Sequence, residues 1–133
     1  MAVSKWAVFS ILCTQMFCGL LWGQESLVVI NEIHYNPDRN YESVEFVELY
    51  NPGPANVDFS GWRFDEGISF TFAAGATLPA GGYVVVAQDP SQVLAKWSTM
   101  SPKLTSARVF GPFDGKLSNE GEKLVLRDAS GVV

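Results

Sequence analysis

Cysteine and histidine are scarce in this chain, and their scarcity excludes several kinds of chemistry. The 133 residues contain two cysteines, Cys13 and Cys18, and one histidine, His34. Both cysteines lie in an apolar N-terminal stretch, so the rest of the chain can form neither a disulfide nor a thiolate nucleophile. A zinc site takes three or four ligands, usually cysteine or histidine, and the composition disfavours one. We interpret His34, in a strand-like run without a nucleophile motif, as a locally hydrogen-bonded histidine at a sheet edge.

Basic residues are also few, and they form no cluster. Nine lysines and arginines stand against fourteen acidic residues, giving a net charge of −5. Nucleic-acid binding requires a patch or stripe of lysine and arginine, so we expect no nucleic-acid partner. Hydrophobic residues make up 47% of the chain, which is ample for the core of one domain.

The first 23 residues have the features of a secretory signal peptide. Lys5 supplies a positive charge, residues 6–22 carry none, and the small Gly23 precedes the polar Gln24. We expect cleavage after Gly23 and a secreted or cell-envelope location, which for a disulfide-free domain suits a bacterial protein. The alternative is an uncleaved anchor, since the apolar run is near the lower limit for crossing a bilayer. Membrane association is expected only in that case.

The most informative stretch of the remaining sequence is Val44–Phe64. Two apolar-alternating runs, Val44–Tyr50 and Val57–Phe64, flank a segment rich in proline and glycine at 51–56. Proline lacks an N–H donor and glycine permits positive φ, so this segment predicts a corner between two strands. In the first run Val47 and Leu49 share one face of the strand. Similar runs recur on both sides of this stretch, which predicts an all-β sandwich.

The sequence contains one helix signal and an incomplete final hairpin. Asp89 followed by Pro90 is typical of a helix start, and predicts a short helix around residues 90–97. Near the end, a turn at 128–131 leads into Val132 and Val133, which begin a further strand. We therefore expect residues 24–133 to be one domain lacking its last strand or strands, and the chain to be a fragment. The alternative is that the two valines simply fray.

Five segments, in the same order along residues 27–133, resemble the lamin tail domain as it occurs in bacterial secreted proteins. They are Val29–Pro37, Glu45–Gly53, Val57–Trp62, Leu78–Tyr83 and Leu117–Glu122. The resemblance implies an immunoglobulin-like β-sandwich whose closing strands are missing here. It also implies an accessory module on an exported protein, in bacteria often beside a catalytic domain. No catalytic residues come with this resemblance, and no cofactor is expected.

Two sets of acidic residues could carry chemistry. Asp38, Asn40 and Glu42 present alternating oxygen ligands that calcium accepts, although the glycine and distal glutamate of an EF-hand are absent. We interpret them as a surface loop, with calcium as the alternative. Glu32, Glu45 and Glu48 could include a carboxylate pair acting on a sugar. Our preferred interpretation is structural: these carboxylates accept backbone N–H groups or pair with arginines.

Exposed aromatic residues are the remaining candidates for a binding surface, because aromatic side chains dominate interface energetics. The candidates are Tyr35, Tyr41, Tyr50 and Trp62. The alternative is that these rings belong to the core or pack against another domain.

The leading hypothesis is a non-catalytic extracytoplasmic binding or scaffolding module, the N-terminal part of a larger exported protein. Its partner would be a protein or a cell-surface polymer. The first alternative is an accessory domain of a secreted enzyme, such as a CotH-like kinase, a nuclease or a phosphatase, with the catalytic domain beyond residue 133. The second alternative is a calcium-stabilised adhesin.

Overall fold

The computed structural model of the protein describes residues 28–37, 43–99 and 104–133. The predicted signal segment, the calcium candidates Asp38, Asn40 and Glu42, and Tyr41 lie outside these ranges. The described residues form ten strands and one α-helix: β1 Val29–His34, β2 Phe46–Tyr50, β3 Val57–Asp58, β4 Arg63–Glu66, β5 Ile68–Thr71, β6 Thr77–Leu78, β7 Tyr83–Ala87, α1 Pro90–Trp97, β8 Val109–Phe110, β9 Asp114–Gly115 and β10 Val125–Arg127. The predicted all-β architecture with one short helix is confirmed.

The strands form two four-stranded sheets and one short two-stranded sheet. The first sheet has the order β1-β2-β7-β8 and the second β10-β4-β5-β9, while β3 pairs with β6. All pairs are antiparallel except β7 and β8, which run parallel. In this order β1 and β10 are terminal strands of different sheets.

The main core contains buried side chains from both sheets, and the alternation of β2 directs Val47 and Leu49 into it. Both side chains, which the sequence places on one face of the strand, are fully buried. The other face of the first sheet carries a second cluster, which contains Phe46 of β2 and Val85 of β7. Four consecutive residues of β7, Val84–Ala87, are buried, as expected for a strand covered on both faces.

Helix α1 covers the outer face of the first sheet. The Asp89 carboxylate caps the helix by accepting hydrogen bonds from the backbone N–H groups of Ser91 at 2.9 Å and Gln92 at 3.2 Å. Val93 of the helix is fully buried in the second cluster, and Trp97 packs against that cluster. The Asp89-Pro90 signal therefore gives the start of the helix, and the apolar residues Val93 and Trp97 determine the face that packs on the sheet.

The run Val57–Phe64, predicted as one strand, is instead divided between two sheets. Asp58 accepts hydrogen bonds from the backbone N–H of Ser60 at 2.8 Å and from its hydroxyl at 2.6 Å. These bonds lower the pKa of Asp58 and close a turn, in which Gly61 has a φ of +75°. Residues before the turn pair with β6, and residues after it pair with β5 and β10. The prediction of one continuous strand was wrong because the alternation of apolar and polar residues does not show that the Asp58 side chain accepts a hydrogen bond from the Ser60 backbone N–H.

Within the described residues, no helix has the length and apolar character needed to cross a bilayer.

Candidate functional site

The two sheets leave an open flank where β1 and β10 approach each other. Among the described strands β1 pairs with β2 alone and β10 with β4 alone, so each has one free backbone edge. A groove of about 540 Å³ lies between them. Val28–Ile30 and Leu124–Leu126 line its two sides, together with Trp62. We call this groove 1.

A second groove of about 400 Å³ lies farther along the same flank. Ile33 and Tyr35 line it from the β1 side, and the segment 117–122 together with Leu124 lines it from the other. Leu124 also lines groove 1, so the two grooves adjoin. We call this second one groove 2.

The apolar residues of this flank are exposed because β1 is a terminal strand. Ile33 lies opposite Val47 on β2, and thus on the face that points into the main core. Whereas Val47 is fully buried, Ile33 is 44% exposed and Tyr35 is 45% exposed. Among the described residues no further strand covers them, which leaves an apolar surface available for contact.

The segment that faces β1 across groove 2 is held by carboxylates at both ends. The N–H of the buried Leu117 donates a 2.8 Å hydrogen bond to Oε2 of Glu45, which is itself 1% exposed. At the other end Oε1 of Glu122 accepts from the Ser118 N–H at 2.8 Å. Gly121, with a φ of +91°, makes the turn between them. This wall of groove 2 is therefore ordered by its own hydrogen bonds.

All charged residues lining the two grooves within the described ranges are acidic. They are Asp128 in groove 1 and Glu120 and Glu122 in groove 2. The Ser130 hydroxyl and the Val132 N–H donate to Asp128 and lower its pKa, so it is ionised at neutral pH. The flank thus combines apolar surface with negative charge.

The three glutamates considered for sugar chemistry lie in different environments. Glu45 is buried and bound to a backbone N–H, which agrees with the structural interpretation. Glu32 and Glu48 lie opposite each other on β1 and β2, and Glu48 accepts from the Asn31 side chain at 2.8 Å. Neither lines groove 1 or groove 2. Neither groove formed by the described residues therefore places two of these carboxylates on opposite sides of a substrate.

His34 takes part in aromatic packing. Its ring stacks on Phe46 at a centroid distance of 5.0 Å and meets Trp97 edge-on at 5.4 Å. Its Nε2 is buried and has no hydrogen-bond partner among the described residues, so the local hydrogen bond expected of this ring is absent at that atom. The stacking accounts for this position, because Phe46 and Trp97 both present apolar surface to the ring. Over the same part of the chain, no group of three or more potential ligands could hold a metal ion.

The aromatic candidates do not form one patch. Tyr35 lines groove 2 and Trp62 lines groove 1, where Trp62 also packs on Phe59 at 4.9 Å. Tyr50 instead stacks on Tyr83 at 4.4 Å, with both tyrosines at opposed positions on β2 and β7. Sequence reasoning missed Ile33 and Leu124, whose exposure depends on which strands end the sheets. The only local signal was the mixed polar and apolar character of β1.

The fold is that of an immunoglobulin-like β-sandwich domain. The Lamin Tail Domain family matches residues 23–133 of this chain. The chain belongs to the lamin tail domain family. No match to it was found among curated proteins.

Proposed function

We propose that this chain is a non-catalytic binding or scaffolding module of an exported protein. The observation that carries the proposal is the apolar, acidic flank between the free edges of β1 and β10. A terminal strand with exposed apolar neighbours is a template for pairing with another polypeptide. Family membership supports the same function, because the lamin tail domain is a β-sandwich module compatible with a non-catalytic role.

The placement of the ionisable groups supports binding over catalysis. Glu45 holds the Leu117 N–H, His34 is packed between aromatic rings, and Asp89 caps a helix. Each of these groups has a structural partner that accounts for its position. A catalytic group would instead have to reach a substrate in a cleft.

Export is supported by the sequence of residues 1–23, and attachment to a larger exported protein by the resemblance to bacterial secreted members of the family. The test is the intact mass of the native protein, recovered separately from cytoplasm, envelope and medium of the producing cells. We expect the protein in the envelope or medium with its N-terminus at Gln24, within a chain heavier than residues 24–133. A cytoplasmic protein that keeps residues 1–23 would contradict export.

The binding function is tested by photo-crosslinking in the producing cells, with the matched tyrosines Tyr35 and Tyr83. Their exposure is similar, 45% and 41%, but Tyr83 lies away from the grooves on β7. Each is replaced in turn by benzoylphenylalanine. We expect a discrete adduct from position 35 and none from position 83. Equal yields at both positions, or none at position 35, would contradict a binding flank at β1.

A further inference from the structure

We infer that the free edge of β1 at Glu32–His34, with the adjoining Tyr35, binds an extended polypeptide strand with one apolar and one basic face. The partner would add to the first sheet as a fifth strand, placing apolar side chains in groove 2 and lysine or arginine on the outer face. This inference rests on the proposed binding function and names the partner class for that flank.

The backbone of β1 supplies the pairing groups. Successive N–H and C=O groups of a strand point alternately to its two sides, and β2 occupies only one side of β1. The register of β1 on β2 shifts between Ile30 and Glu32, where Asn31 forms a bulge. Bulges interrupt regular pairing, so the regular free edge is the part that follows Asn31.

The two faces of this edge have different chemistry. Ile33 and Tyr35 line groove 2 with Leu117 and Leu124, which is an apolar surface for alternate side chains of an added strand. Glu32 lies opposite Glu48 on the outer face. Like charges at opposed positions on neighbouring strands are destabilising, and a cation on the next strand would relieve this repulsion.

The surrounding charges also favour a basic partner. Glu120 and Glu122 line groove 2, so its charged residues are acidic as well. The nearest cations of the β10 segment face the other way: Lys123 pairs with Glu66 at 2.9 Å and Arg127 with Asp65 at 3.0 Å. Lysine or arginine on the outer face of the partner would meet Glu32, while the carboxylates of groove 2 disfavour acidic side chains on the partner's inner face.

A second copy of this chain is a poorer occupant for the same reason. Pairing of two β1 edges would bring Glu32 and Glu48 of one copy beside those of the other. Charge complementarity therefore favours a basic strand over a second copy of this chain.

The test uses the 133-residue protein and a blocked octapeptide of alternating valine and lysine. We expect saturable binding by calorimetry, and at least about tenfold weaker binding of the valine–glutamate octapeptide, a difference of about 1.4 kcal/mol. In strand addition, only every second N–H group of the peptide faces β1 and forms a hydrogen bond with it. N-methylation of the residues whose N–H groups face β1 should therefore abolish binding, and N-methylation of the intervening residues should not. Nuclear magnetic resonance should then show new exchange protection of β1 amides.

Variants locate the site. Glu32→Lys and Ile33→Asp should each weaken binding of the valine–lysine peptide by about tenfold, one through charge and one through the apolar face. Asp114→Lys, the same charge change as Glu32→Lys but on β9 of the other sheet, should change it less than about twofold. Far-ultraviolet circular dichroism verifies that each variant is folded.

Three results would overturn the inference: no saturable binding of the valine–lysine peptide, equal loss in Glu32→Lys and Asp114→Lys, or self-association through β1 that the same variants abolish. If the peptide fails while the crosslink from position 35 persists, the binding function stands and the strand-addition mechanism is wrong. If both fail, the proposed function fails with it.

Discussion

The carboxylate of Glu45 and the backbone N–H of Leu117, 72 positions later, form a buried 2.8 Å hydrogen bond. Glu45 immediately precedes β2, a central strand of the first sheet, and Leu117 begins the wall of groove 2. The backbone carbonyl of Glu45 also accepts a bond from the Gln88 N–H at 2.9 Å. One residue thus connects the start of β2, the end of β7 and the wall of groove 2.

Replacing Glu45 should therefore destabilise the fold. In Glu45→Ala the Leu117 N–H loses its acceptor, and an unsatisfied buried donor costs about 1–3 kcal/mol. Glu45→Gln keeps a side-chain oxygen that can accept the bond, so it should lose less. The measurement is urea unfolding, with Glu122→Ala as the control, since Glu122 makes the same kind of bond at an exposed site. Equal stability of both alanine variants would show that the buried bond has no special role.

The main core should be sensitive to truncation of Leu49. This side chain is fully buried between the sheets, and Leu49→Ala should lower the free energy of unfolding by about 2–4 kcal/mol. Val85→Ala, in the second cluster, should cost about 1–3 kcal/mol because fewer methyl groups are lost. Ser69→Ala, on the exposed side of β5, should stay within about 0.5 kcal/mol of the parent. A thermal transition unchanged by Leu49→Ala would mean that the inward face of β2 is assigned wrongly.

The helix cap should make stability depend on pH in the acidic range. Hydrogen bonds from the Ser91 and Gln92 side chains, then from the Gln92 backbone, lower the pKa of Asp89 from 3.8 to about 2. Because the folded pKa is depressed, the contribution of this group is present above pH 4 and lost as pH falls from 4 towards 2. Asp89→Asn keeps the cap without the titration. Its melting temperature should fall below that of the parent above pH 4 and converge with it near pH 2, and a constant difference would contradict the assignment.

Alanine substitutions at two glycines should distinguish the cost of backbone strain from the cost of steric overlap. Gly111 has a φ of +133°, and a Cβ there would overlap the Ala87 carbonyl oxygen. Gly81 has a φ of +62° but nothing within 4 Å of the same position. Gly81→Ala should cost about 1–2 kcal/mol from strain alone, and Gly111→Ala should cost at least about 1 kcal/mol more because neighbouring backbone must shift. Chemical denaturation measures both, and equal losses would argue against close packing at Gly111.

Local patterns were sufficient for the centre of this fold. The alternation around Val47 and Leu49 gave the inward face of β2, and Asp89-Pro90 gave the start of α1. Both features are determined by neighbouring residues, namely the pleat of a strand and the capping of a helix. The split of Val57–Phe64 was not predictable, because Asp58 binds Ser60 instead of continuing the strand.

The candidate site depends on contacts between distant parts of the chain. Ile33 reads as an ordinary strand residue, and only the sheet order shows that its strand is terminal and that Leu124 lies across a groove from it. Likewise Tyr50 was a candidate for an exposed surface, but register places Tyr83 opposite it. A sequence pattern shows which residues share a face of a strand, but it does not show which strand lies beside that strand in the sheet.

The central claim, a free β1 edge available to a partner, is tested most directly by residue-resolved amide hydrogen exchange in the isolated protein. Amides of β7, which is paired on both sides with β2 and β8, should exchange slowly throughout Val84–Ala87. In Glu32–His34 the amides that face β2 should be protected, and those that face away from β2 should exchange rapidly. Uniform slow exchange across this segment would mean that the edge is already covered, and would contradict the account.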